Sequence, residues 1–331
     1  MALLAAGCSG NVDDTEEMED LFLYADVEEI IADGSSSVNF TVMYGDQDVT
    51  SEASVKCISE NVEVSGKAFR TEAIGTYVFR AFYEDAVSED VEVVAKTRFQ
   101  RRVCVMEFTG TWCPQCPQGA TTLNFLTTRS YKDKAFVLAF HNDDEYEFPA
   151  AKELDTMFGL QKSYPAYVTD MRDVGLVNEG GCGDTIEESL YESVTHCAVS
   201  VSCSYGETSS MVMVNVDAGL YSETDASYRL AAYVIEDKVV GEQAQPDNSV
   251  DKEYTHRHVV RAMLSSGVMG DELGTVPAGS EKTSGWSFKV EESWNVANLS
   301  VAVLAIDEEG HVNNMAVCSA DGGEMKYGYV K

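Results

Sequence analysis

The sequence predicts a multidomain chain, with an all-β sandwich at each end and an α/β domain between them. Three patterns carry this prediction. Residues 21–97 alternate apolar and polar side chains in short runs divided by turn residues, the period of half-buried strands. Between 98 and 196, strand-like and helix-like runs take turns, as in an α/β domain with a mixed sheet. From 197 to 331 only short strands remain, separated by Gly, Asp and Asn clusters, which suggests a second sandwich. A length of 331 residues suits two or three domains, each with its own core. The 44% hydrophobic content excludes a disordered chain. With 23 basic and 56 acidic residues the formal charge is −33, which excludes nucleic acid as a partner. No apolar run reaches the roughly 18 residues of a membrane-spanning helix, and no internal repeat is evident.

Residues 1–20 read as a signal remnant and a tether. The small apolar run ending Ala5-Ala6-Gly7-Cys8 resembles the lipobox of bacterial lipoproteins, which implies lipidation at Cys8. A secretory signal also carries a basic n-region. Here the first basic residue is Lys56, so the signal is incomplete and an ordinary apolar N-terminus is the alternative. Asp13, Asp14, Glu16, Glu17, Glu19 and Asp20 follow, and dense like charge keeps such a segment extended. The expectation is an exported chain, lipid-anchored to the outer membrane.

In 21–97, Val38, Phe40 and Val42 alternate with polar residues, as do Tyr77, Phe79, Ala81 and Tyr83. Tyr44-Gly45-Asp46 and Ile74-Gly75-Thr76 mark turns between strands. The stretch GTYVFRA resembles the tyrosine corner of immunoglobulin-like sandwiches, with Tyr77 two residues before Phe79. Phe79 stands where antibody domains have a Cys, so the resemblance implies an Ig-like module without the inter-sheet disulfide. Lys96, Arg98, Arg101 and Arg102 mark a domain boundary, as a solvated linker face or as partners of nearby acids.

In 98–196 the expected elements are strand Cys104–Phe108, helix Gln118–Thr128, strand Ala135–His141, helix Pro149–Phe158 and strand Ala166–Met171. A strand near Val174–Val177 and a helix at Thr185–Thr195 complete the unit. The sharpest signal is Glu107-Phe108-Thr109-Gly110-Thr111-Trp112-Cys113-Pro114-Gln115-Cys116-Pro117, where a strand runs into a CxxC and then a helix. At a helix N-terminus, free N–H groups and the dipole stabilise the Cys113 thiolate. Pro114 suits the first helical position, and Cys116 lies one turn along, within reach of a mixed disulfide on Cys113.

Residues 103–196 look like a thioredoxin-fold domain. The resemblance implies that Pro165, in Ser163-Tyr164-Pro165-Ala166, is the cis-proline that packs over the disulfide and binds substrate backbone. It also implies that Glu107 is the buried acid assisting proton transfer to Cys116. The chain departs from the pattern at Tyr164, bulkier than usual, and at Pro117, which removes an N–H from the first helical turn. Over 103–331 the chain resembles a family of lipid-anchored outer-membrane proteins of anaerobic Gram-negative bacteria, named after a twenty-eight-kilodalton member. Its members look like EFTGTWCPQCP around the cysteines and share Val234-Ile235-Glu236-Asp237, Gln243, and Tyr254-Thr255-His256 through Arg261.

Beyond 197 the expected strands are Val199–Ser204, Met211–Val216, Tyr228–Ile235, His256–Met263, Trp286–Val290, Leu299–Ile306 and Val312–Cys318. Cys197 and Cys203, six residues apart on one face of a strand, are about 20 Å apart if it is unbroken and cannot pair with each other. Cys104 and Cys318 sit among apolar residues as small hydrophobes. Cys182, in Gly180-Gly181-Cys182-Gly183, is the most exposed candidate, a third redox thiol or a loop cysteine without a role. His256 and His258 would share a strand face and could point at one metal, but no third ligand is visible, so no metal site is expected. His141 ends a core strand near the CxxC. No phosphate loop or serine elbow occurs and no cofactor is expected.

Two functional readings follow. One is a cell-envelope thiol–disulfide oxidoreductase acting on protein thiols or disulfides, with Cys113 attacking, Cys116 resolving, Pro165 shaping the groove and Glu107 moving protons. The other is a non-catalytic surface lipoprotein whose sandwiches bind proteins or glycans, its CxxC an inert disulfide. The oligomeric state is left open.

Overall fold

A computed structural model describes residues 20–177, 181–191, 193, 195–207 and 211–330. Cys8 and most of the acidic tether lie outside them. The chain divides into two compact units, one ending at Lys96 and the other beginning at Thr97.

The first unit is all β. Its strands are β1 (Leu21–Ala25), β2 (Glu29–Ile31), β3 (Val38–Tyr44), β4 (Gln47–Asp48), β5 (Ser54–Cys57) and β6 (Val62–Glu63). They continue as β7 (Ala68–Phe69), β8 (Gly75–Tyr83), β9 (Ala86–Val87) and β10 (Val91–Lys96). One sheet runs β1-β3-β4 with β7 on β3, the other β2-β10-β8-β5-β6 with β9 on β8. Alternation decides which faces meet. Val38, Phe40 and Val42 of β3 and Tyr77, Phe79 and Ala81 of β8 are buried in one core between the sheets. Phe40 and Phe79 meet with ring centroids 4.6 Å apart. The Tyr77 hydroxyl donates to the Ala73 carbonyl at 3.0 Å, closing the corner on backbone four residues upstream.

The second unit begins with β11 (Val103–Thr109), α1 (Cys116–Phe125), β12 (Ala135–His141), α2 (Ala150–Met157), β13 (Ala166–Thr169), β14 (Asp173–Leu176) and α3 (Gly181–Tyr191). It continues with β15 (Cys197–Glu207), β16 (Val212–Ser222), β17 (Ala226–Glu236), β18 (Val239–Ala244), β19 (Val250–His256) and β20 (Val259–Met263). The last strands are β21 (Asp271–Val276), β22 (Ser280–Lys289), β23 (Leu299–Ile306), β24 (Val312–Ser319) and β25 (Glu324–Met325). β11 lies parallel to β12 and antiparallel to β13.

The segments expected as separate domains, 98–196 and 197–331, share one sheet in the order β14-β13-β11-β12-β20-β17-β23-β24, with β21 on β17. The junction is the parallel pairing of Ala139 with Val259. Its cause is visible in β12, whose residues are almost all buried. Such a strand cannot leave its edge open to water or to another chain. A four-stranded sheet, β22-β16-β15-β25, stacks on the C-terminal part of this long sheet. Val199, Val201, Val216 and Leu220 meet Leu230, Val234, Val301 and Val303 between the two. A C-terminal two-sheet layer therefore exists, but one of its sheets is also the α/β sheet. The unit is mostly β, with α1 and α3 packing Leu123 and Ile186 on Val103, Val105 and Val137.

Several element boundaries differ from expectation. Helix α1 starts two residues early, at Cys116, and α3 starts at Gly181 rather than Thr185. The expected strand His256–Met263 is broken, because His258 has a positive φ of 55° between β19 and β20. Of the two readings of the basic cluster, pairing with nearby acids holds for three of its four residues, and only Lys96 and Arg98 reach solvent. Lys96 pairs with Glu29 and Arg98 with Glu223. Arg101 is buried against Asp170 at 2.7 Å, and Arg102 is buried too.

Candidate functional site

Strand β11 ends at Thr109 and the chain turns through Gly110–Gln115 into α1. A Cβ on Gly110 would lie 2.6 Å from the Trp112 indole nitrogen and 3.1 Å from the Asn142 carbonyl, so only glycine fits there. The Cys113 N–H donates to the Gly110 carbonyl at 3.0 Å, the Thr111 N–H to Asp144 Oδ2 at 2.8 Å, and the Trp112 indole to the Asn142 carbonyl at 2.8 Å. Cys113 and Cys116 form a disulfide with Cα atoms 5.4 Å apart. Cys116, not Cys113, begins the helix, and Pro117 rather than Pro114 takes the first-turn place where an N–H would have no partner. Pro117 therefore does not break α1. Both cysteines are buried, Cys113 at 3% and Cys116 at 1% exposure, while Trp112 is 43% exposed.

The Tyr164–Pro165 peptide is cis. Pro165 packs on α1: a Cβ on Gly119 would lie 2.6 Å from Pro165 Cβ. Tyr164 stacks on Trp112 with ring centroids 5.8 Å apart. Its hydroxyl donates to the Asp155 carboxylate and accepts from Asn142 Nδ2 at 2.8 Å. The extra bulk of Tyr164 is thus held in place by Asn142 and Asp155.

Glu107 sits mid-strand on β11 and is 3% exposed. Its Oε1 has no hydrogen-bond partner among the described residues. Burial pushes its carboxyl up to about 8, so the acid is mostly protonated at neutral pH. Glu107 and Cys116 open on a shared cavity of about 240 Å³, which is also walled by His141, Gln243, Tyr254 and His256. His141 Nδ1 lies 2.7 Å from Asp144 Oδ2. For Asp144, burial raises the carboxyl, but the hydrogen bonds from His141, Thr111 and Tyr146 outweigh it and leave it below its ordinary value. His256 faces His141 with ring centroids 5.2 Å apart. Burial, then the neighbouring His141, pushes His256 down to about 4, so it is neutral.

The β18–β19 hairpin completes the site from the far end of the chain. Gln243 Nε2 lies 2.9 Å from the Cys113 carbonyl, 3.2 Å from that of Thr111 and 3.4 Å from that of Gly110. The Ala244 N–H donates to the Thr111 carbonyl at 2.8 Å. The family resemblance marked Gln243 and His256 but gave them no role, and Asn142, Asp144 and Asp155 went unmarked. The available signal was the polar run His141-Asn142-Asp143-Asp144 at the carboxyl end of a parallel strand, where open α/β sheets place their ligands.

Two sequence readings do not hold, the exposure of Cys182 and the shared strand face of His256 and His258. Cys182 is fully buried on α3, not in an exposed loop, and burial pushes its thiol up to about 12. It is no reactive thiol. His256 and His258 do not share a strand face, since His258 lies in the turn beside Asp237. Among the described residues no cluster of three or more His, Cys, Asp or Glu could hold a metal. None of the described helices is long and apolar enough to cross a membrane.

Fold and site define a β-rich protein whose largest sheet carries a strand–CxxC–helix centre. Residues 154–323 match the model of the outer membrane protein Omp28 family, more than half the chain, and the protein belongs to that family. No curated protein matches. Among solved structures, HBP35 of Porphyromonas gingivalis is 19% identical, covers 68% of this chain and 76% of its own, and has a TM-score of 0.57, a likeness of fold. Surface layer protein SbsC, domains 4–9, covers 95% of this chain and 51% of its own at 9% identity, and its TM-score of 0.21 carries no argument.

Proposed function

We propose that this outer-membrane family member is a thiol–disulfide oxidoreductase of the cell envelope, tethered by a lipid at Cys8, with a thioredoxin-like centre and an Ig-like module in front. The observation that carries the reading is the Cys113–Cys116 disulfide at the start of α1, with a neutral, buried Glu107 on the same cavity as Cys116. A substrate thiolate attacks Cys113 Sγ, and the Cys113–Cys116 bond breaks. Cys116 leaves as a thiolate and takes the Glu107 proton. A second substrate thiol then attacks the mixed disulfide, producing substrate disulfide and the Cys113 thiolate. The reverse sequence reduces a substrate disulfide, with Glu107 removing the Cys116 proton. The packing of Pro165 on Gly119 in the first turn of α1 supports its reading as the residue that shapes the groove, and the Tyr77 corner supports the Ig-like reading.

One observation favours the alternative of a non-catalytic surface lipoprotein binding proteins or glycans. Both sulfur-bearing residues are buried in the oxidised state. Trapping decides between the two. In the oxidoreductase reading, Cys116→Ala accumulates envelope proteins as mixed disulfides on Cys113, reductant releases them, and Cys113→Ala collects none. Partners held without covalent linkage, unchanged when both cysteines are alanine, would establish the binding protein instead.

A further inference from the structure

We infer that Cys203 and Cys318 are a second redox pair, joined as a disulfide that ties the four-stranded sheet to the long sheet. Six described cysteines lie outside the CxxC, all of them buried thiols. Cys57 Sγ meets the Ser59 hydroxyl at 3.3 Å, and Cys197 Sγ meets Asn313 Oδ1 at 3.2 Å. Cys203 and Cys318 instead meet each other, with sulfurs 3.4 Å apart although they stand 115 positions apart in sequence. β15 is unbroken from Cys197 to Glu207, so Cys203 is far from Cys197 and faces the partner sheet's edge strand, β24, which carries Cys318.

The surroundings hold the two sulfurs together. Both side chains belong to the apolar core between the sheets, and each residue is 6% exposed. After β24 the chain turns back, and β25 pairs with β15 at Val201 and Ser202. The Cys203 N–H donates to the Gly323 carbonyl at 2.9 Å, and the Val317 N–H reaches Met325 Sδ at 3.4 Å. One returning segment therefore fixes the backbone beside both cysteines. A disulfide needs sulfurs about 2.05 Å apart, so about 1.4 Å of approach from the observed 3.4 Å closes the bond.

The step is an exchange with a disulfide oxidant, either of an exported oxidoreductase or of a small molecule such as glutathione disulfide. One cysteine thiolate attacks an oxidant sulfur and releases its first thiol. The other then attacks the mixed disulfide and releases the second. Two protons and two electrons leave the pair, and the oxidant becomes two thiols. Envelope compartments are oxidising enough for the product to persist. Because the pair is covered once β25 docks, the bond forms as the last strands fold. None of this depends on what Cys113 and Cys116 do.

The test uses the full chain purified from an oxidising compartment and incubated with glutathione disulfide. Alkylation under denaturing, non-reducing conditions, followed by peptide mass mapping, should find a Cys203–Cys318 cross-linked peptide 2 Da lighter than the sum of its parts. Cys57, Cys104, Cys182 and Cys197 should be alkylated. Recovery of Cys203 and Cys318 both alkylated would overturn the inference, and this readout needs no variant to fold. A second measurement follows melting in the Cys113→Ala/Cys116→Ala background, where no other pair responds to reductant. Reduction should lower the midpoint by about 5–15 °C, given the long loop closed and the size of the unit. Adding Cys203→Ala and Cys318→Ala should abolish that response, and a response that survived would count against the pair.

Discussion

Replacing Glu107 by Gln should remove one large pH-dependent penalty on stability across the neutral range. In the unfolded chain this carboxyl titrates near 4.3, whereas burial in the fold pushes it up to about 8. Between those values the folded protein keeps a proton that the unfolded chain has released, so stability falls as pH rises. At about 1.4 kcal/mol per pH unit, the loss by pH 8 is on the order of 5 kcal/mol. Below about pH 4 the group contributes nothing, and above 8 the penalty is complete. A domain is typically stable by about 5–15 kcal/mol, so the acid costs a large fraction of that. Glu107→Gln keeps the shape and stays neutral throughout. Urea unfolding of the oxidised chain, variant against wild type at pH 4 to 9, cancels every titrating group the two proteins share. Relative to wild type the variant should gain stability steadily from about pH 4.5 to 8, and the proposed role of Glu107 as proton donor to Cys116 predicts slower reduction by a model dithiol. A stability difference that stayed flat with pH would refute the claim that Glu107 is held neutral.

Two further substitutions probe how the site is held. Gly119→Ala should gain about 1 kcal/mol of helix propensity, yet its methyl would lie 2.6 Å from the rigid Pro165 ring. Overpacking of that kind costs about 1–3 kcal/mol, so a net loss of stability and slower disulfide exchange are expected, and a stabilised variant would show that α1 and Pro165 do not touch. Gln243→Ala should remove the closest donor to the Cys113 carbonyl, leaving it only the longer bond from the Cys116 N–H at 3.3 Å while Thr111 keeps the Ala244 N–H, at about 0.5–1.5 kcal/mol for the lost hydrogen bonding. In the reduced protein it should also speed alkylation of Cys113, and an unchanged melting point and alkylation rate would mean that the hairpin only rests on the site.

The legibility of the chain tracked how local each signal was. The alternation of Val38, Phe40 and Val42 and of Tyr77, Phe79 and Ala81 exposed the first sandwich, because strand faces repeat every two residues. The CxxC turn, Glu107 and Pro165 were visible for a similar reason, since each is set by a few neighbouring residues. What sequence could not show was pairing between distant segments. Nothing near Ala139 says that its open edge is filled by Val259, so the shared sheet read as two domains. Nothing near Cys182 says that α3 begins at Gly181 and turns the thiol inward, because glycines around a cysteine read as a loop. The break at His258 has a similar origin. The stretch His256–Met263 read as one strand, whereas the chain turns at His258 to leave the hairpin and enter the long sheet.

That change of sheet explains how the site is assembled. A CxxC turn after a strand leaves several carbonyls without regular partners, and once covered they must be satisfied by something other than water. β20 has to enter the long sheet beside β12, because β12 is buried on both faces and cannot remain an edge. The residues just before it, the β18–β19 hairpin, are then delivered to the carboxyl end of β12, beside the turn that carries Cys113. Gln243 and Ala244 meet the exposed carbonyls, and His256 closes the cavity around Glu107 and Cys116. The pairing that merges the two expected domains is therefore also what supplies the site with its second wall. A cut that separated 98–196 from 197–331 would remove that wall, open the β12 edge and strip the Cys113 carbonyl of its Gln243 donor together.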